Sequence, residues 1–291
     1  MLRRVMVLGM LALAACDQPD PESGTLQSQS FPNPPIASTK LHFHQLTPDL
    51  LVGPRPSQEQ IKELAALGIK KVISVDALPP ASSLLEESIQ VRHLPLGYRD
   101  LPKTLQLRLA RELSIDPVKT YIHCHHGQHR GPAAGLAALL NLGQFDQAQA
   151  KIWLDRCGVG YQGLRQAVLH AQPESNAAIQ AALPLEERAA TTSLSRLMAE
   201  IDQVWDRLKK VPSIDDPNAR TQREDAAELV DLLRLSSESA GPVDPAYPKQ
   251  MQEAIELATT LESQLQSGQD AAQVRATLRT TCRTCHRAFR D

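Results

Sequence analysis

The stretch "HCHHGQHRGP", residues 123–132, concentrates groups that could do chemistry: Cys124 lies between His123 and His125, and Arg130 follows the cysteine six positions on. Val118 to His123 is apolar and β-prone, Gly127 lets the chain turn, and Arg130 to Leu142 is rich in Ala and Leu, with Pro132 near its start and Gly143 just past its end. The pattern predicts strand, loop, helix. A loop that opens a helix offers free backbone N–H groups and the positive end of the helix dipole, which together make an oxyanion site. A cysteine in that field favours its thiolate, the nucleophilic form, and an arginine after the loop can grip two oxygens of one anion. His125, His126, Gly127, Gln128, His129 and Arg130 are the candidate phosphate-binding residues. Protonation of the loop histidines would strengthen anion binding in mild acid and shift an optimum that way. A metal cluster is the competing reading, but residues on so tight a loop point in divergent directions.

A second motif closes the chain. Cys282-Arg-Thr-Cys285-His286 is C-x-x-C-H, the spacing for covalent attachment of a c-type haem. On a helix these positions share a face, so two thiols can add to the porphyrin vinyl groups while His286 points at the iron. A zinc site would need further ligands, and residues 174 to 281 contain no other His or Cys. Apolar residues upstream recur at three-four spacing: Leu194, Leu197, Met198, Ile201, Val204, Trp205, Leu208 and Val211; then Ala226, Leu229, Val230 and Leu233; then Met251, Ala254, Ile255, Ala258, Leu261 and Leu265; then Val274, Leu278, Cys282, Cys285 and Phe289. Breaks at "VPSIDDPNA", "SAGPVDP" and "SGQD" separate four helices, and such a bundle can hold a cofactor in its core.

Residues from about 186 to 291 resemble the class II cytochromes c of the cytochrome c-prime type, which carry the haem motif at the end of a fourth helix, followed by an aromatic and an arginine, here Phe289 and Arg290. The resemblance implies one covalent haem c on Cys282 and Cys285, His286 on the iron, and Met198 of "SRLMAEI" as second axial ligand, with Met251 the fallback. Met198 would otherwise be core packing, and an iron without methionine would be open to small gases.

Residues from about 41 to 172 resemble the cysteine-dependent protein tyrosine and dual-specificity phosphatases. The match rests on His123-Cys124, five residues, then Arg130, with Gly127 inside. It rests also on the upstream "LTPDLLVGPRPSQEQIKELAALGIKKVISVDA", read as a strand before "GPRPS", a helix capped by Ser57 and closed by Gly68, and a strand at 70 to 76. It implies Cys124 as nucleophile, a cysteinyl-phosphate intermediate, and phosphate held by Arg130 and the loop amides. The general acid is Asp100, after a strand at 90 to 96, with Asp76 the alternative; Asp100 could instead be a turn or cap residue before Pro102. Gly131 departs from the family, which has Ser or Thr there to help the thiolate leave.

These readings predict two domains, an α/β phosphatase-like domain with a central sheet flanked by helices, followed by an all-α four-helix cytochrome bundle. The divisions are 1–15, a signal peptide; 16–40, a lipidated disordered tether; 41–172, the phosphatase-like domain; 173–185, a linker; and 186–291, the bundle. Arg3, Arg4 and an apolar run too short to span a bilayer lead to "LAAC", which resembles a bacterial lipoprotein box. It implies lipid on Cys16 and a periplasmic protein tethered to a membrane. Losing Arg3 and Arg4 takes the formal charge from −2 further negative, and no basic tract invites nucleic acid. The expected partners are a phosphorylated small molecule or protein, a periplasmic or membrane redox partner, and a second copy through the bundle. Cys157 reads as a small core residue, or as a resolving thiol for Cys124. Two other functions stay open: an electron-transfer cytochrome whose front domain only binds an oxyanion, and persulfide chemistry at Cys124.

Overall fold

The structure, a computed structural model, describes residues 41–190, 193–209, 219–239 and 246–289. The signal segment, the tether, Cys16, Val211 and Arg290 lie outside the described residues. The chain opens with β1 (His44–Thr47) and β2 (Leu50–Gly53), then α1 (Gln58–Ala66), β3 (Lys71–Ser74), α2 (Ser83–Glu86), β4 (Gln90–His93), α3 (Lys103–Ile115) and β5 (Thr120–His123). Four helices follow the sheet: α4 (Arg130–Asn141), α5 (Gln147–Arg156), α6 (Gln162–Leu169) and α7 (Asn176–Ala181). Four more complete the chain: α8 (Leu194–Leu208), α9 (Ala219–Ser239), α10 (Ala246–Gln266) and α11 (Ala272–Phe289).

The strands form one mixed sheet in the order β1-β2-β5-β3-β4. β1 runs antiparallel to β2, and the other pairings are parallel. Alternate residues of a strand face opposite sides of a sheet. Accordingly Leu50, Val52, Ile73 and Ile122 enter one apolar cluster, with α3 and α4, while Leu51, Val72 and Tyr121 enter another, with α1. Ser57 starts α1 with a reciprocal capping box to Gln60. Every residue of α4 is buried, which its Ala- and Gly-rich sequence permits by letting the helix lie close to the sheet. The loop between β5 and α4 therefore leaves the carboxyl end of the central strand, where open α/β sheets form their crevices.

Helices α8 to α11 enclose a third cluster, built from Leu197, Val204, Leu229, Met251, Leu261 and Leu278 among others. Residues 173–185, expected as a linker, contain α7, and Ile179 and Leu185 are buried in the sheet-side cluster. Pro34–Asp291 forms one compact unit. Helix α9 shows why. Ala226, Leu229 and Val230 face the helical cluster, whereas Ala227 joins the sheet-side one. From Leu229 to Arg234 every side chain is buried, so α9 is clasped on both sides. Among the described residues no helix is long and apolar enough to cross a membrane.

Candidate functional site

The segment after β2 fixes the shape of the Cys124 loop. The Cys124 N–H donates to the Gly53 carbonyl at 3.4 Å, and the Arg55 N–H to the His125 carbonyl at 3.2 Å. Gly127 has φ +77°, and a Cβ there would stand 2.3 Å from the Pro54 nitrogen. "GPR" thus cradles the loop, and only glycine fits where the two cross. The loop curls back on the sulfur, with Gly127 N–H donating to Cys124 Sγ at 3.3 Å. The backbone N–H groups of His125, His126, Gln128, His129 and Arg130 find no acceptor among the described residues. Buried backbone donors are nearly always paired, and His129 and Arg130 are buried. Unclaimed donors in one tight loop at a helix start make an anion cradle.

Arg130 is fully buried. Its Nη1 donates to the Leu96 carbonyl at 3.1 Å and to Asp231 Oδ2 at 2.6 Å, and its Nη2 reaches Asp231 Oδ1 at 3.4 Å and Asp76 Oδ1 at 3.3 Å. Its plane lies over the Tyr98 ring, 4.2 Å from the centroid, a cation–π contact. Nε is buried and has no partner among the described residues. Arg234 in turn holds Asp76 through both oxygens, at 3.0 and 2.9 Å, and Asp231 at 3.0 Å. Arg55 stands 3.5 Å from Asp76.

The two candidate acids are placed very differently. Burial raises the Asp76 carboxyl, but the hydrogen bond from Arg234 and the charges of Arg234 and Arg130 outweigh it and hold it well below the usual carboxylate range. Asp76 therefore stays ionised and serves as an arginine anchor; it does not suit the acid role. Asp100 lies exposed on the β4–α3 loop, and its Oδ1 accepts from the Leu101 N–H at 2.7 Å. The same loop delivers Leu96 and Tyr98 to Arg130.

The loop histidines divide. Burial pushes His125 down to about 3, helped by the Arg234 charge, and His129 down to about 4. His129 Nδ1 accepts from the Gly160 N–H at 3.2 Å, and its ring meets Tyr161 edge-on. Both are neutral in mild acid, so the acid-strengthened binding expected of them does not arise from these two rings. His126 is more exposed and faces Glu262 of α10 at 3.7 Å. Glu262 also accepts from the Tyr161 hydroxyl at 3.0 Å. Cys157 is a free, buried thiol in the sheet-side core, and burial pushes it up to about 12, which makes it a poor resolving nucleophile. A cleft of about 550 Å³ adjoins the loop, lined by Gln128, His129, Tyr161, Arg165, Arg223 and Gln266 among others.

The terminal motif lies on α11. Cys282 and Cys285 are free thiols; Cys285 is buried in the helical cluster, and Cys282, Met198 and Phe289 pack against it. Met251 is buried in the same cluster. Burial pushes Cys282 up to about 11 and raises Cys285 as well. No cluster of three or more His, Cys, Asp or Glu ligands occurs among the described residues. The Tyr247 hydroxyl, whose ring meets Phe289 edge-on at 5.4 Å, is buried without a partner among the described residues. Two thiols and a histidine on one helix, with Met198 and Met251 in or against the same cluster, are residue types that fit a covalently held haem.

Asp231, Arg234, Tyr98, Arg55 and Glu262 escape a reading of local motifs. One signal was present: Asp231 and Arg234 interrupt "LVDLLRL", an otherwise apolar run. Charges three apart in such a run are rarely left buried without partners.

No protein-family profile matches the chain, and no curated protein matches it. Solved structures do. P. aeruginosa TpbA, crystallised with pTyr, is 18% identical, with 50% of this chain and 99% of that one covered at a TM-score of 0.39. The core catalytic domain of the S. cerevisiae PP-IP phosphatase SIW14, in complex with citrate, is 18% identical, with 50% and 95% covered and a TM-score of 0.40. Tk-PTP in its active form is 20% identical, with 43% and 92% covered and a TM-score of 0.38.

Proposed function

We propose that this protein is a cysteine-dependent phosphoric monoester hydrolase that also carries one covalent haem c, exported and lipid-anchored through Cys16. The observation that carries the hydrolase reading is the Cys124 loop, where backbone donors are left unclaimed among the described residues, Gly127 N–H donates to the sulfur, and a buried arginine opens the following helix. The cradle places the phosphoryl oxygens against the amides and Arg130. The Cys124 thiolate attacks phosphorus, and the P–S bond forms as the P–O ester bond breaks. Asp100 gives its proton to the departing oxygen. Water then attacks phosphorus, Asp100 takes the water's proton, and phosphate leaves with the thiolate restored.

Cys282 and Cys285 would hold the haem through thioether bonds, with His286 on the iron and Met198 its second ligand, Met251 in reserve. The bound group would supply one-electron transfer, or gas binding where methionine is absent. The export signal and the haem motif both suit a periplasmic site; the lipid on Cys16 would tether the chain to the membrane, a redox partner would lie in the periplasm or at that membrane, the substrate would be a phosphorylated small molecule or protein, and a second copy would pack on the bundle.

The test is phosphate release from an aryl phosphate by the full chain. Turnover is expected in wild type and lost in Cys124→Ser, with the absorbance of a reduced pyridine haemochrome present in wild type and absent in a Cys282→Ser/Cys285→Ser double variant. Turnover that survives Cys124→Ser would sink the hydrolase reading, and a haem signal that survives the double variant would sink the attachment. A second reading is oxyanion binding without turnover, or persulfide chemistry on Cys124. It is favoured by the burial of Cys124, which is only 2% exposed, and by Gly131. Tight phosphate binding without release from any ester would support it, and a thiosulfate-dependent mass increase on Cys124 would mark the persulfide branch.

A further inference from the structure

The mechanism leaves two buried charges of α9 unused. Asp231, 7% exposed, and Arg234, 8% exposed, come from the helical half of the chain, and both meet charges of the sheet-side half. Asp231 contacts Arg130 in a fork: Oδ2 on Nη1 and Oδ1 on Nη2. A guanidinium has two usable edges. The Nη1–Nη2 edge is filled by Asp231; Nη2 also donates to Asp76 Oδ1 at 3.3 Å, and Nε is left without a partner among the described residues. A planar guanidinium held along one edge can turn only a little, so its other edge is aimed. A second carboxylate next to an anion cradle would repel the anion. Arg234 counters this by binding both Asp76 and Asp231. With Arg55 beside Asp76, three guanidiniums meet two carboxylates, and a positive charge remains for an oxyanion.

We propose that α9 completes the anion site: Asp231 is a positioning residue that fixes Arg130 so its Nε edge faces the oxyanion, and Arg234 cancels the charge that Asp231 brings. The inference rests on the oxyanion site proposed above. The competing interpretation of the same contacts is that Asp231 merely docks α9, or plugs the site by standing in for an anion.

The experiment measures protection of Cys124 from iodoacetamide by inorganic phosphate and by tungstate, in the full haem-loaded chain, with alkylation read by mass spectrometry. This readout needs no turnover. Asp231→Asn keeps the shape and removes the charge; the half-protecting concentration is expected to rise about tenfold or more, as befits loss of a charge-assisted fork, and Asp231→Glu to recover part of it. Asp225→Asn is the docking control. Asp225 joins α9 to Arg99 of the β4–α3 loop and to Arg207 of α8 without touching Arg130; this variant is expected to shift protection less than about twofold while loosening the ion pairs that hold α9 to its neighbours, whose arginines are 42% exposed. Equal shifts in the two variants would reduce Asp231 to docking, and tighter protection in Asp231→Asn would make it a plug; either overturns the inference. Absence of protection in wild type would overturn the oxyanion site itself and this inference with it, whereas protection without phosphatase turnover leaves the inference standing and removes only the hydrolase reading.

Discussion

Around Cys124 the neighbours set what each residue can do. An added Cβ at Gly131 would lie 3.5 Å from the Cys124 nitrogen and 3.5 Å from the Ile122 carbonyl, ordinary contact distances. A hydroxymethyl therefore has a place to begin, and Gly131→Ser is expected to speed breakdown of the cysteinyl-phosphate several-fold; a larger kcat with little change in initial burst checks it, and an unchanged kcat refutes it. Burial holds His123 and His129 near 4, against the ordinary 6.5. The unfolded chain then binds protons between pH 6.5 and 4 that the folded chain refuses, so stability falls as pH drops through that window, by up to about 1.4 kcal/mol per pH unit for each such histidine. Melting temperatures taken from pH 7 to 4.5 are expected to decline, less steeply in His123→Gln. Cys124, Arg130 and Gly127 were legible in the sequence because they are adjacent along the chain. Asp76 was visible as a carboxylate at a strand end but not as an arginine anchor, because the guanidinium that decides its ionisation sits 158 residues away.

At the scale of elements, local signals read well where one element makes its own bonds. Ser57 and Gln60 close a capping box within four residues, and β5, loop and α4 follow from apolar run, glycine and Ala-rich helix. They failed where an element serves two neighbours. Helix α9 reads as one amphipathic stripe, Ala226, Leu229, Val230 and Leu233, yet its other side carries Ala227, Asp231 and Arg234 into the sheet-side half. Local signals were likewise silent about α7 at 173–185: it is short, and Ile179 is buried by contacts that its own sequence does not reveal. The Gly127 crossing is the point where an element-scale prediction is sharpest. Gly127→Ala must displace Pro54 and adopt a left-handed backbone, so it is expected to cost about 1–3 kcal/mol and to abolish phosphate protection of Cys124; denaturant midpoints and alkylation rates measure the two effects.

Over the whole molecule, the sheet-side half and the helical half share buried charge. Residues 41–185 alone would expose Arg130 and Asp76 where α9 now covers them, and removing one partner of a buried pair costs about 3–5 kcal/mol. That fragment is expected to unfold at distinctly lower urea than the full chain and to bind phosphate more weakly, which circular dichroism and the alkylation assay would reveal together; equal midpoints would show that α9 adds nothing to the sheet-side half. The Arg130–Asp231 pair joins positions 101 residues apart. Synthesis runs from the amino end, so the arginine is made long before its counterion exists. Until α9 has emerged, the nascent sheet carries a guanidinium it must keep wet, and the cradle stays unset. The last third of the chain thus acts as a completion check: a polypeptide cut short by stalling or proteolysis holds every residue of the cysteine loop and still lacks the carboxylate that aims its arginine.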